Sequence, residues 1–285
     1  MSNKKLIVAN WKNHPDTLAE AQEILEFTND YLDSLNEKRP FSLVFCPPFV
    51  FIEEVAKMLQ MSHMEHESFL GAQDIAIEDK AALTGLVEGS RLRGGGPNEI
   101  GDAPKKPGIA VEVSGPMLRK LGTNYVIIGH SERRWKLGES DKVVNQKLKS
   151  ALRNELVPIV CIGERKREDN FKDFLKDQVV KTFEGLTPDE IGKCIIAYEP
   201  VWAISTNPGA KPDTPESALE SIHIIKEILN SEFSVQGNTF LYGGSVNSGN
   251  IASFIRENEI NGVLIGGASV NKEEFIKILK IAVRI

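Results

Sequence analysis

Cysteine is scarce in this chain. Only Cys46, Cys161 and Cys194 occur among 285 residues, an odd number without metal-ligand spacing. That excludes a disulfide framework and points to reduced thiols at strand ends in a cytoplasmic protein. No apolar run reaches the length of a membrane span, and Met1-Ser2-Asn3-Lys4-Lys5 leads directly into a strand, so neither membrane insertion nor a signal peptide is expected. A basic surplus is missing too. The formal net charge of −6 argues against a nucleic-acid surface, which needs a positive face. What is present, 41% hydrophobic and 26% charged residues, suits a soluble globular protein with a sizeable core.

Short β-branched runs alternate with helical patterns along the chain. Strands are predicted at Lys5–Ala9, Ser42–Cys46, Phe69–Gln73, Val126–Gly129, Pro158–Cys161, Cys194–Tyr198, Thr239–Tyr242 and Gly262–Ile265. Between the first two, Thr17-x-x-Glu20 reads as a capping box, and Leu18, Ala21, Leu25, Leu32 and Leu35 as one apolar helix face. Later helices are announced by Thr214-Pro215 and by Asn271 with Glu274 three residues on. Alternation of this kind demands parallel strands. Eight strand-then-helix units with no linker predict one α/β domain, residues 1–285, folded as a (β/α)8 barrel. The rhythm fails once. From Ile75 to about Glu112 no period is sustained, and Gly94-Gly95-Gly96-Pro97 interrupts the chain. A stretch this long without pattern reads as a functional or inserted loop after strand three.

In such a barrel the chemistry sits just beyond the strand ends. There the sequence puts Asn10 and Lys12 after strand one, His130 and Glu132 after strand four, and Glu199 after strand six. Gly243-Gly244-Ser245 follows strand seven and Gly266-Gly267 strand eight. Paired glycines are either tight turns or a cradle of backbone N–H groups for phosphate; the loops after strands seven and eight are the usual phosphate site of these barrels. Lys12 is either a solvated lysine or a fixed positive charge for an oxyanion. His130 is either a satisfied core histidine or, before a helix start that disfavours imidazolium, a neutral donor to a carbonyl. Glu199, ahead of the stiff Pro200-Val201-Trp202, is either a structural ion-pair partner or a base moved by a closing loop. A base, a neutral electrophile, a cation and a phosphate site together describe proton abstraction beside a carbonyl, with the oxyanion stabilised in a dry pocket. His63-x-x-His66 lacks a third ligand and reads as surface loop, so no metal is expected.

On these segments the chain resembles the triosephosphate isomerase family. The matching motifs are Asn10-Trp11-Lys12, Gly129-His130-Ser131-Glu132-Arg133-Arg134, Cys161-Ile162-Gly163-Glu164, Tyr198-Glu199-Pro200-Val201-Trp202-Ala203-Ile204, Tyr242-Gly243-Gly244-Ser245-Val246 and Gly266-Gly267-Ala268. The resemblance implies a cofactor-free aldose–ketose isomerase of glycolysis and gluconeogenesis, acting on a small phosphorylated triose through an enediolate. It implies Glu199 as the base and His130 as the neutral electrophile, a pairing for which this family is the standard worked example. Lys12 and Asn10 would stabilise the developing charge, with Glu132 against Lys12. Ser205, Ser245, Gly266 and Gly267 would hold the phosphate, and Tyr242 would latch a closed lid. The family also implies a homodimer.

Two departures stand out. Ala203-Ile204 runs on into Ser205-Thr206-Asn207-Pro208-Gly209-Ala210-Lys211-Pro212-Asp213, where the family's lid is about three residues shorter and has glycine at the place of Ser205. The loop after strand three, short in the family and plugged into the neighbouring subunit, is split here between Thr84-Gly85 and Glu112-Val113-Ser114 by residues 86–111. Competing readings are a catalytically silent barrel that binds phosphorylated metabolites, and an isomerase whose substrate the longer lid has altered.

Overall fold

Eight parallel strands pair in sequence order and close on themselves in the computed structural model, which describes residues 4–35, 39–61, 67–80, 113–205, 207 and 209–285. They are β1 (Lys5–Asn10), β2 (Phe41–Cys46), β3 (Ser68–Ala72), β4 (Tyr125–Ile128), β5 (Val157–Ile162), β6 (Ile195–Tyr198), β7 (Thr239–Tyr242) and β8 (Gly262–Ile265). The seam is β8 against β1, with Leu6 opposite Gly262 and Ala9 opposite Ile265. Among the described residues the helices are α1 (Leu18–Asp33), α2 (Ile52–Met61), α3 (Gly115–Lys120), α4 (Ser131–Lys136), α5 (Asp141–Arg153), α6 (Phe171–Phe183), α7 (Pro188–Gly192), α8 (Pro215–Phe233), α9 (Ile251–Ile255) and α10 (Lys272–Ala282). The expected (β/α)8 architecture is therefore present. The expected insertion at residues 86–111, its flanks Thr84-Gly85 and Glu112, and the pair His63 and His66 lie outside the described residues.

Local chemistry accounts for most helix starts. Thr214 caps α8 through its hydroxyl with proline at the first turn, and the Asn271 side chain accepts from the Glu274 N–H at the start of α10. The box expected at Thr17 is only half formed. Thr17 accepts from the Glu20 N–H, but the Glu20 carboxylate accepts from Asp16 N–H at 3.1 Å rather than from Thr17. A complete capping box occurs instead at Thr187 and Glu190, opening the short α7 that the sequence reading did not anticipate.

Two apolar regions follow from the strand period of two. Ile7, Ala9, Ile128, Ile196 and Tyr242 face the helices, where they pack with residues such as Leu25, Leu148, Val179, Ile222 and Leu279. Their alternates Leu6, Val8, Val44, Cys46, Ile127, Ile159, Cys161, Ile195, Ala197, Leu241 and Leu264 fill the barrel interior. Each buried Val, Leu or Ile among them is worth roughly 1.5–3 kcal/mol relative to exposure. Continuing the inward rows by one more period gives Asn10 after Val8, Gly163 after Cys161, Glu199 after Ala197, Gly243 after Leu241 and Gly266 after Leu264. The same alternation that packs the barrel thus carries polar residues and glycines to one end of it.

Candidate active site

Glu199 lies at the centre of that end and is only 2% exposed. A buried carboxylate must be hydrogen-bonded to remain charged, and this one is. Its Oε2 accepts from the Ser131 N–H at 2.8 Å, at the start of α4, and its Oε1 lies 3.1 Å from His130 Nε2. The Cys161 thiol also faces it. Burial pushes that thiol well above its ordinary range and the Glu199 charge pushes it further, so it stays protonated beside the carboxylate. Space for this residue is made by two glycines, one against its backbone and one against its side chain. A Cβ at Gly163 would fall 1.9 Å from the Glu199 carbonyl oxygen, and one at Gly243 would fall 2.8 Å from Glu199 Cγ. Neither position has room for a larger residue unless Glu199 moves.

His130 is the N-cap residue of α4, and its Nδ1 accepts from the Glu132 N–H at 3.3 Å. An Nδ1 that accepts leaves the single imidazole proton on Nε2, the nitrogen that meets Glu199. The helix start thereby fixes the tautomer and aims a neutral donor into the site.

Lys12 adopts a left-handed backbone conformation, φ 56°, uncommon for a residue with a Cβ. Two hydrogen bonds hold it, and a third fixes the Gln73 side chain that makes one of them. Asn10 Oδ1 accepts from the Lys12 N–H at 3.1 Å, and Gln73 Nε2 donates to the Lys12 carbonyl at 2.7 Å and to the Cys46 carbonyl at 3.0 Å. The Lys12 ammonium lies 3.3 Å from Glu132 Oε1, and its Cε is 3.1 Å from where a Cβ on Gly266 would stand. Burial works to raise the Glu132 carboxyl, but the Lys12 and Lys136 ammonium groups outweigh it and hold it below the ordinary carboxylate range.

The Gly-His-Ser-Glu-Arg-Arg segment divides its labour. His130 and Glu132 face the site, while the two arginines anchor the element. Arg134 donates to the Gly129 carbonyl at 2.7 Å and the Cys161 carbonyl at 3.2 Å. Arg133 pairs with Asp74 at 2.8 Å and Glu139 at 2.7 Å, and both acids also bind the buried Lys147 ammonium at 2.6 Å. Asp74 follows Gln73, so one buried ion cluster ties the Lys12 support to the α4 start. Removing one member of such a cluster strands a buried charge, at about 3–5 kcal/mol.

Ser205, Ser245, Gly266 and Gly267 come from the lid and from the loops after β7 and β8. Ser205 has an ordinary φ, and its N–H donates to Ser245 Oγ at 2.7 Å. Gly267 opens a single 3-10 turn, Gly267–Ser269, and space is open where a Cβ would stand. The lid is rooted in Glu164. Glu164 Oε1 accepts from Tyr198 Oη at 2.8 Å, Trp202 Nε1 at 2.9 Å and Arg167 at 3.0 Å, and its carbonyl accepts from the Val201 N–H. The lid's return passes close by, with the Lys211 N–H on the Trp202 carbonyl and Asn207 Nδ2 on the Val201 carbonyl at 2.8 Å. Tyr242, expected at a latch, stacks on Phe254 of α9 at 3.8 Å, and its hydroxyl faces the Asp213 carboxylate at the lid's end.

The structure thus brings Asn10, Lys12, His130, Glu132 and Glu199 around one opening. Gln73 and Cys161 were missed by the sequence reading as members of the site. Their signal was the strand period: Gln73 follows Phe69 and Gly71 on the inward row of β3, and Cys161 precedes Gly163 on that of β5. Nitrogen-15 NMR of His130 at neutral pH is expected to show an unprotonated Nδ1 and a protonated Nε2. A doubly protonated ring, or the reverse tautomer, would contradict the assigned geometry.

Comparison with known proteins agrees with this arrangement. The family model described as triosephosphate isomerase matches residues 5–97 and 106–282, and its break at 98–105 falls inside the expected insertion. The chain is similar to the triosephosphate isomerase of Dictyoglomus turgidum, 36% identical over 281 residues covering 97% of this chain and 99% of that one. It is likewise similar to those of Caldanaerobacter subterraneus, 35% identical (97% and 98% covered), and Aquifex aeolicus, 36% identical (97% and 98% covered). With its barrel, its strand-end residues and these relatives taken together, the chain belongs to the triosephosphate isomerase family.

Proposed function

We propose that Glu199 and His130 carry out, in this family member, the interconversion of glyceraldehyde 3-phosphate and dihydroxyacetone phosphate. The observation that carries the reading is the 3.1 Å approach of the buried Glu199 carboxylate to His130 Nε2, beside the Lys12 ammonium. A substrate carbonyl entering there takes the Nε2–H donor, and Glu199 leaves the Ser131 N–H for the carbon-bound proton next to that carbonyl. The C–H electron pair moves into the carbon–carbon bond and the carbonyl pair onto oxygen, giving an enediolate. The hydroxyl proton of the enediolate passes from one oxygen to the other through His130 Nε2, and Glu199 then returns its proton to the neighbouring carbon, so that the carbonyl and hydroxyl have exchanged places. His130, Lys12 and the Asn10 amide stabilise the oxygens as charge develops, and Glu132 keeps the Lys12 ammonium in place. Ser205, Ser245, Gly266 and Gly267 receive the phosphate, which must come between the Ser205 N–H and Ser245 Oγ that now bond each other. The residues themselves supply each proton step, so the reading calls for no cofactor or metal.

Residues 1–285 are read as one barrel domain acting as a cytoplasmic homodimer. The three buried free cysteines support the compartment, and family membership together with the apolar tip at Val50, 81% exposed, supports the dimer. Light scattering should return twice the chain mass of 31.5 kDa; a mass of one chain would contradict the dimer. Glu199→Asp retracts the carboxylate by one methylene and is expected to lower turnover on the order of 10²-fold, as a misplacement of about 1 Å can. Unchanged turnover would remove Glu199 from its role.

A further inference from the structure

The far end of the lid carries an acid that the proton transfers do not use. Asp213 is the last lid residue before the Thr214 cap of α8, and Pro212 and Pro215 stand on either side of this pair. Each proline fixes its own φ, which leaves this end of the lid few free torsions. Asp213 Oδ1 accepts from the Thr214 N–H at 2.9 Å. Its Oδ2 is buried and accepts no hydrogen bond in the lid position shown. A buried acceptor left open costs free energy that a donor arriving in another lid position would recover.

A donor stands beside it. The Tyr242 hydroxyl faces the Asp213 carboxylate, and burial, then the Asp213 charge, push that phenol far above its ordinary range, so it keeps its proton. Its ring is fixed by the stack on Phe254, with centroids 3.8 Å apart. Its oxygen passes over Gly244, where a Cβ would fall 2.2 Å from it. Gly244 belongs to the loop that carries Ser245, so one hydroxyl stands between the phosphate loop and the end of the lid. Besides Tyr242 of β7, the titratable and charged groups that face Asp213 are Arg167 and Glu164 from the loop after β5, while Ser217 and Thr214 of α8 offer uncharged donors. Burial, with Glu164 adding to it, outweighs Arg167 and those donors and holds the Asp213 carboxyl above its ordinary range.

We propose that Asp213 is a positioning residue of the lid: when the lid closes on a bound phosphate, the Tyr242 hydroxyl donates to Asp213 Oδ2 and ties the lid's far end to the phosphate loop. The bond forms away from the Ser205 N–H and leaves the phosphate position open. A charged carboxylate is the stronger acceptor. Once protonated it loses that advantage, so closure weakens as the pH falls through the range in which Asp213 takes up its proton. The latch rests on the isomerase reading in taking lid closure as a step of turnover.

The test is calorimetric binding of phosphoglycolate to the full chain, with turnover measured beside it, for the wild type, Asp213→Asn, Tyr242→Phe and the double variant. Asparagine keeps the shape and an acceptor for the Thr214 N–H but removes the charge; phenylalanine keeps the stack on Phe254. With circular dichroism unchanged, each single variant should bind phosphoglycolate about tenfold more weakly near neutral pH, the loss expected for one charge-assisted hydrogen bond. In the Tyr242→Phe background, Asp213→Asn should cost nothing further. The ratio of wild-type to Asp213→Asn affinity, in which the ligand's own titration cancels, should fall towards one as the pH is lowered, a readout that needs only the asparagine variant. Equal affinity in Asp213→Asn, a ratio independent of pH, or fully additive losses would each overturn the latch. Wild-type binding without turnover would instead overturn the isomerase reading, and the affinities would still decide the latch.

Discussion

The burial of one carboxylate constrains the rest of this molecule. Glu199 sits on the inward row of β6, one strand period beyond Ala197, where a charge without partners would cost several kcal/mol. Its partners come from elsewhere: the first N–H of α4, the imidazole at that helix's cap, and the Cys161 thiol from β5. Gly163 and Gly243 on either side leave the hole into which it fits. These requirements are met from the ends of β4, β5 and β7, which the parallel pairing of the barrel brings beside β6.

The partners are in turn held by groups that touch no ligand. Arg133, Lys147, Asp74 and Glu139 lock the start of α4 against the loop after β3, which also carries the Gln73 that pins Lys12. On the far side, three donors on one Glu164 oxygen fix the root of the lid. The rigid part of the site is thus cross-braced by buried charge. Among its described residues the lid rests by contrast on a few bonds, the clearest being Ser205 to Ser245. That contrast suits a site in which the base and electrophile are preorganised and one loop moves.

Much of this was legible in the sequence because strand ends announce themselves. An apolar run that stops at Asn10, at Gly129-His130 or at Tyr198-Glu199 marks both the barrel and its reactive end. Legibility fails where a residue acts through space. Gln73 reaches Lys12 across 61 positions, and nothing local to either residue requires it. The left-handed backbone of Lys12 is likewise imposed by tertiary contacts. At Thr17 only the N-cap half of the expected box forms, because the Glu20 carboxylate accepts from the Asp16 N–H instead. The lid departs from the family at Ser205, yet that residue's N–H, which needs no special φ, still points at Ser245.

The central claim is that Glu199 takes and returns a carbon-bound proton. The most direct measurement is isomerisation of glyceraldehyde 3-phosphate in heavy water, following deuterium into the triose carbons by NMR, for the wild type and Glu199→Gln. The account predicts that the wild type turns over with deuterium appearing on carbon, because an enediolate intermediate lets the base exchange with solvent, and that the variant loses turnover and exchange together. Exchange or turnover persisting at the wild-type rate in Glu199→Gln would contradict it.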